Sequence, residues 1–200
     1  MPVDAGPCVS CRVILVRHAH TGMAGRFCGQ SDPPLSEQGR AQLPELAEQL
    51  AKYPLTHVFS SDLLRCRETA NFIAAKKGLT VELLPGLREL GFGEWEGLDW
   101  DAVSARDREY AEQWLRQYPR LPAPGGEDFG SFRERVRNSF AELADQIHGG
   151  CAAVVTHAGV IRVLMLDLLN LPESALAGLE CGYACFRELR RESGRWHLQG

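Results

Sequence analysis

The chain has 200 residues, 44% of them hydrophobic and 24% charged, with 22 Lys plus Arg against 26 Asp plus Glu for a net charge of −4. These proportions exclude a disordered tail or a coiled coil. A nucleic-acid or membrane-surface role would need a basic excess that is not there. A chain of this length buries roughly 70% of the surface it would expose unfolded, so it needs no disulfide or metal to hold it together.

The elements follow in chain order as one domain over residues 1–200, without repeat or linker. Residues 1–11, MPVDAGPCVSC, lack the apolar core of a signal peptide and read as a frayed N-terminus. Residues 12–16 end in the apolar run VILV, a buried strand by length and β-branching. A Gly- and Pro-rich loop covers 19–35, and Ser36 can cap a helix with Leu43, Leu46, Ala47 and Leu50 on one face. Pro44 predicts a kink or a late start in that helix. A short strand is expected over 56–60, then a helix capped by Asp62 with the stripe Leu63, Cys66, Ala70 and Ile73.

A third strand is expected over 79–84 and one helix over 100–118. After PAPGG, Asp128 or Ser131 can start a helix carrying Phe132, Val136, Phe140, Leu143 and Ile147. Residues 151–156 read as another buried strand and 159–169 as a helix apolar on most sides. Residues 183–189 and 196–198 suggest a hairpin around SGR. The alternation predicts an α/β fold of three layers, a mostly parallel sheet flanked by helices, with ligands at the carboxyl ends of the strands. The richest apolar stretch, VIRVLMLDLLNL, is interrupted by Arg162 and Asp167, and no run reaches the roughly 20 residues of a membrane span. The seven cysteines form no evident framework, and Cys66 and Cys151 sit in apolar segments. A reduced, cytoplasmic protein is expected.

Two histidines occupy equivalent places at that sheet edge. His18 follows VILV in LVRHAHTG, and His157 follows AAVV in VVTHAGVIR, where Ala158 and Gly159 open the next helix. A strand, a polar residue, small residues and a helix start bring backbone close to an anion. Arg17 and Arg65 supply positive charge. In a helix capped by Asp62, Arg65 lies in the first turn, where the dipole disfavours a cation, so a bound anion accounts for it better. Arg67 points about 200° away around the helix and suits a surface ion pair. LRELGFGEWEG brings three carboxylates, Glu89, Glu94 and Glu96, among apolar neighbours that raise a carboxyl pKa. Spacing does not choose among them. Two imidazoles, two guanidinium groups and an acid suit phosphoryl transfer through a covalent histidine.

RHAHTG resembles the signature of the histidine phosphatase superfamily, the phosphoglycerate mutase-like group. FSSDLLRCRETA, LRELGFGEWEGLDW, PAPGGEDFGSFRERV and VVTHAGVIR are similar to its later blocks in the same order, so the likeness covers about residues 12–170. GRFCGQSDPPLSEQGR and the short stretch between WEG and THAG look most like the α-ribazole phosphatase branch. The resemblance implies a phosphoglycerate mutase-like fold and a hydrolase of small phosphate monoesters that needs no cofactor and no metal. It makes His18 the phosphorylated nucleophile, Arg17, Arg65 and His157 the holders of the phosphoryl oxygens, and Glu89 the proton donor. Ala19, His20 and Ala24 depart from the family's usual Gly, acid and Asn, and the Thr21 hydroxyl is available to replace part of the lost contact.

Other readings are a phosphoglycerate mutase-type transfer, a non-catalytic binder of phosphorylated ligands, and a metal enzyme using the His18-x-His20 pair. A zinc site from Cys8, Cys11, Cys181 and Cys185 is a weaker one. Residues 95–126, rich in Trp, Tyr and Arg, suggest a lid or pocket wall.

Overall fold

A computed structural model describes residues 11–147 and 149–199. Its centre is a six-stranded sheet formed by β1 (Cys11–Arg17), β2 (His57–Ser60), β3 (Val81–Leu83), β4 (Cys151–Thr156), β5 (Phe186–Glu192) and β6 (Arg195–Gln199), in the order β3-β2-β4-β1-β5-β6. The pairs β3–β2, β2–β4 and β4–β1 are parallel, and β1–β5 and β5–β6 are antiparallel. This is the three-layer, mostly parallel arrangement expected from the alternation. Cys11 belongs to β1, is buried and pairs with Arg191, so the frayed segment expected over 1–11 does not include it. The rest of that segment, Cys8 of the zinc reading with it, lies outside the described residues.

Alternate residues of β1 serve two cores, as the period of a strand requires. Val13 and Leu15 pack with Phe59, Val154 and the buried stripe of α5 (Phe129–Gln146) and α6 (Ala158–Leu168). Ile14 and Val16 face the other way, onto α1 (Glu37–Ala51) and α2 (Leu64–Lys77) through Leu46, Leu50, Cys66 and Ile73. Burying β1 and β4 on both sides explains why they read as unbroken apolar runs.

Several boundaries differ from the sequence reading. Ser36 caps α1 through its hydroxyl, and the helix runs through Pro44 from Glu37 without a late start. Both Pro44 and Arg40, whose carbonyl loses its helical partner, are exposed, on the side of the helix open to solvent. Asp62 does not cap α2. Its carboxylate instead takes two bonds from Arg88, at 2.7 and 2.5 Å, leaving Leu63 at the cap and Asp32 accepting from the Leu64 N–H. Arg67 is exposed and makes no ion pair among the described residues. The helix expected over 100–118 is two, α3 (Trp100–Arg106) and α4 (Arg108–Gln117), because Asp107 turns away and caps the second through the Tyr110 N–H. These helices pack a small aromatic core of Trp95, Val103 and Trp114 beside the main one. No helix is long and apolar enough to cross a membrane among the described residues.

Candidate active site

β1 carries Arg17 and His18 to the sheet's carboxyl edge. The His18 N–H donates to the Thr156 carbonyl at the end of β4, and the Arg17 N–H donates to Cys185 just ahead of β5. The His18 side chain is buried, with Nδ1 2.8 Å from the Ala19 carbonyl oxygen. A carbonyl only accepts, so Nδ1 carries the hydrogen and Nε2 keeps its lone pair. Burial pushes the imidazole pKa well below 6.5, and the charge of Arg65, then of Arg17, adds to it, while the Ala19 bond opposes. The larger cause is therefore burial rather than the neighbouring arginines.

His157 follows β4 and stands at the head of α6, with its ring 5.2 Å from that of His18. Its Nε2 lies 3.0 Å from Ser61 Oγ and 3.4 Å from Cys66 Sγ. Burial, followed by the Arg65 charge, lowers its pKa as well. Both imidazoles are thus neutral at ordinary pH.

Arg65, wholly buried at the start of α2, is held by carbonyls. Nη1 donates to Ser31 at 2.6 Å, and Nη2 donates to Gly29 at 2.7 Å and to Cys28 at 3.4 Å. Arg17 donates from Nη1 to the Cys181 carbonyl, and its guanidinium lies 3.8 Å from the centre of the Tyr183 ring. In each arginine Nε is buried without a partner. Two buried donors without partners cost free energy, a deficit that an anion accepting from them would offset.

The three carboxylates separate by environment. Glu89 Oε2 accepts from the Gly159 N–H at 3.0 Å, on the first turn of α6 immediately beyond His157, and Oε1 accepts from the Leu90 N–H. A side chain at Gly159 would displace this carboxylate, since a Cβ there would come within 2.2 Å of Oε1. Glu94 is exposed. Glu96 accepts five bonds, from the N–H groups of Gly29, Gln30, Ser31 and Phe92 and from the Ser31 hydroxyl. Burial raises its pKa, but the bonds from Ser31, Phe92 and Gln30 outweigh burial and leave it lowered, contrary to the expected rise. Glu96 therefore shapes the 28–31 loop whose carbonyls hold Arg65.

Thr21 is buried on a bridge to Leu35, its hydroxyl accepting from the Met23 N–H. His20 bonds to Ser36 through Nδ1 and packs 5.1 Å from Tyr183, while Ala24 is exposed. Three side chains of this site were missed, Ser61, Thr69 and Tyr183, and Glu96 was named from the sequence as a candidate acid rather than for the loop it orders. Thr69 accepts from the Ala19 N–H and donates to the Arg65 carbonyl one turn back on its own helix, tying the loop after β1 to α2. Among the described residues, no group of three or more His, Cys, Asp or Glu is placed to hold a metal ion.

A family profile described as histidine phosphatase superfamily (branch 1) matches residues 13–200. The chain belongs to that superfamily. It is a histidine phosphatase superfamily enzyme, and the fold is the phosphoglycerate mutase-like one that its motifs resemble. A probable phosphoglycerate mutase of Erwinia tasmaniensis is 30% identical over 94% of this chain and 89% of its own. The adenosylcobalamin/α-ribazole phosphatase of Escherichia coli is 28% identical over 88% and 87%. Among solved structures, the α-ribazole phosphatase of Shigella flexneri has a TM-score of 0.84 at 26% identity, covering 94% of each chain. A mycobacterial glucosyl-3-phosphoglycerate phosphatase has 0.84 at 32% identity, covering 94% and 97%.

Proposed function

We propose that this histidine phosphatase hydrolyses small phosphate monoesters in the cytoplasm, without a metal, through a phosphorylated His18. The observation that supports it most is the pair of buried, unpartnered Nε groups of Arg17 and Arg65 next to a neutral His18 whose Nε2 is left as the lone-pair nitrogen. His18 Nε2 attacks phosphorus as the ester P–O bond breaks, and Glu89 gives a proton to the departing alkoxide. Water then attacks the phosphohistidine with Glu89 taking its proton, the P–N bond breaks, and phosphate leaves. Arg17, Arg65, Thr21 and His157 hold the phosphoryl oxygens, where charge grows in a loose transition state.

Rapid quench with a labelled monoester is expected to trap an acid-labile, base-stable phosphoenzyme that His18→Ala abolishes. Equal turnover by that variant and the wild type overturns the assignment. The likeness to a probable phosphoglycerate mutase supports a second reading, in which the phosphohistidine returns its phosphoryl group to another hydroxyl. Measuring phosphoglycerate interconversion beside phosphate release separates the two. For the alcohol, the relatives' names bring forward α-ribazole 5′-phosphate and glucosyl-3-phosphoglycerate, which a panel of metabolite monoesters ranks by kcat/KM.

A further inference from the structure

Arg17 has to present its donors to a phosphoryl group, yet little in the way of hydrogen bonding fixes it. Its guanidinium makes one side-chain bond, from Nη1 to the Cys181 carbonyl at 2.5 Å, and no ion pair among the described residues. Other arginines of this chain are held more fully. Arg65 is gripped by three carbonyls, and Arg88, Arg133 and Arg135 are matched by carboxylates. A planar group pinned at one nitrogen can still swing about that contact, so its aim must be set by something else.

An aromatic ring does so. The Arg17 guanidinium carbon lies 3.8 Å from the centre of the Tyr183 ring, at van der Waals contact. The four other cation–ring pairs stand at 4.9 to 5.9 Å. The negative face of a ring attracts a cation but offers it no lone pair. The N–H groups of Arg17, the unpartnered Nε among them, therefore stay available to phosphate oxygens. A carboxylate in the same place would take up those donors and cancel the charge.

The ring is itself firmly placed. Residues 181–185 are laced to the end of β1, with the Arg17 N–H donating to the Cys185 carbonyl and the Ala184 N–H to the His18 carbonyl. Ala184 stands in the left-handed region at φ 54°, uncommon for a residue with a Cβ, at the bend immediately after Tyr183. His20 packs against the ring at 5.1 Å, its own Nδ1 2.8 Å from the Ser36 hydroxyl at the head of α1. The His18 ring lies 5.5 Å away. The Tyr183 hydroxyl makes no hydrogen bond among the described residues, so these contacts use the ring and not the oxygen.

We propose that Tyr183 is a positioning residue for phosphoryl transfer, whose ring aims the Arg17 guanidinium beside His18 and leaves its donors free. The inference rests on the phosphatase reading, in which Arg17 holds phosphoryl oxygens, and adds what holds Arg17. Tyr183 acts through the arginine and not by touching substrate.

The test follows binding of inorganic phosphate by calorimetry, beside kcat/KM for p-nitrophenyl phosphate. Tyr183→Leu is expected to weaken phosphate about tenfold, with a comparable loss in kcat/KM, and Tyr183→Phe to recover most of both. Leucine also changes the shape of the side chain, so position 183 is filled in addition by phenylalanines carrying one, two and three ring fluorines. These keep the shape and withdraw charge from the ring face, and phosphate affinity should fall stepwise with each fluorine. A flat response across the fluorinated series overturns the inference. So does a Tyr183→Phe variant as weak as Tyr183→Leu, which would give the role to the hydroxyl. Graded phosphate binding in a protein that hydrolyses no monoester would strike the phosphatase reading and leave the seat of Arg17 in place. Turnover with no response at position 183 strikes the seat alone, and wild-type protein that binds no phosphate overturns both.

Discussion

Replacing Gly159 by alanine separates the position of Glu89 from the stability of the fold. The added Cβ would stand 2.2 Å from Glu89 Oε1, where ordinary contact begins at 3.4 Å, so the carboxylate must retreat by more than 1 Å. The obstacle is the end of a flexible side chain, which yields more easily than backbone. Retreat forfeits the bond from the Gly159 N–H, about 1.5–3 kcal/mol for a charged acceptor. Alanine in a helix returns up to about 1 kcal/mol relative to glycine. The net destabilisation is about 0.5–2 kcal/mol, or roughly 1–8 °C in Tm for a chain of this size. The kinetic effect is larger. A displacement of about 1 Å in a catalytic group can cost about 100-fold, and general acid catalysis is worth roughly 10²–10⁴. The expected result is a well-folded variant about 100-fold slower on alkyl phosphates and within a few fold of wild type on p-nitrophenyl phosphate, whose leaving group needs no proton. Equal slowing on both ester types would refute the reasoning, because the damage would then lie elsewhere than at the acid.

Glu96→Ala removes the acceptor of five bonds, so the 28–31 loop should loosen. Stability is expected to fall by about 2–4 kcal/mol in urea titration, and product inhibition by phosphate to weaken about tenfold through Arg65. An unchanged inhibition constant would detach Glu96 from the arginine. His18 and His157 both have folded pKa values well below 6.5. Below pH 6.5 the unfolded chain therefore binds protons that the folded chain refuses, and stability falls as pH drops. The slope approaches about 1.4 kcal/mol per pH unit for each histidine, readable in urea titrations between pH 6.5 and 5. Over the same range kcat/KM on p-nitrophenyl phosphate should show no loss with a midpoint at 6.5, since His18 stays neutral.

Parts of this molecule written in a single stretch of chain were legible in advance. β4 and the α5 stripe follow from apolar period and length, and the placing of His18 and His157 at one sheet edge follows from both coming straight after buried strands. What stayed hidden depends on partners distant in sequence. Asp62 has the residue type and position of a cap, yet Arg88 competes for it and wins with two charged bonds. Asp107 breaks one amphipathic pattern into two helices because an aspartate can cap from inside a periodic run. Tyr183 reads as the start of a strand, and only the crossing of β5 beside β1 sets its ring against Arg17. Glu96 resembles a candidate acid by composition, and its five donors come mainly from a loop more than sixty residues earlier.

The seat of Arg65 has a consequence for how the molecule comes to exist. The guanidinium is on α2, the carbonyls that grip it come from residues 28–31, and the carboxylate that orders them is at position 96. No nascent chain shorter than that can assemble the pocket, whatever helices it has already formed. The setting of this guanidinium therefore depends on contacts between segments far apart along the polypeptide, which close more slowly than local ones.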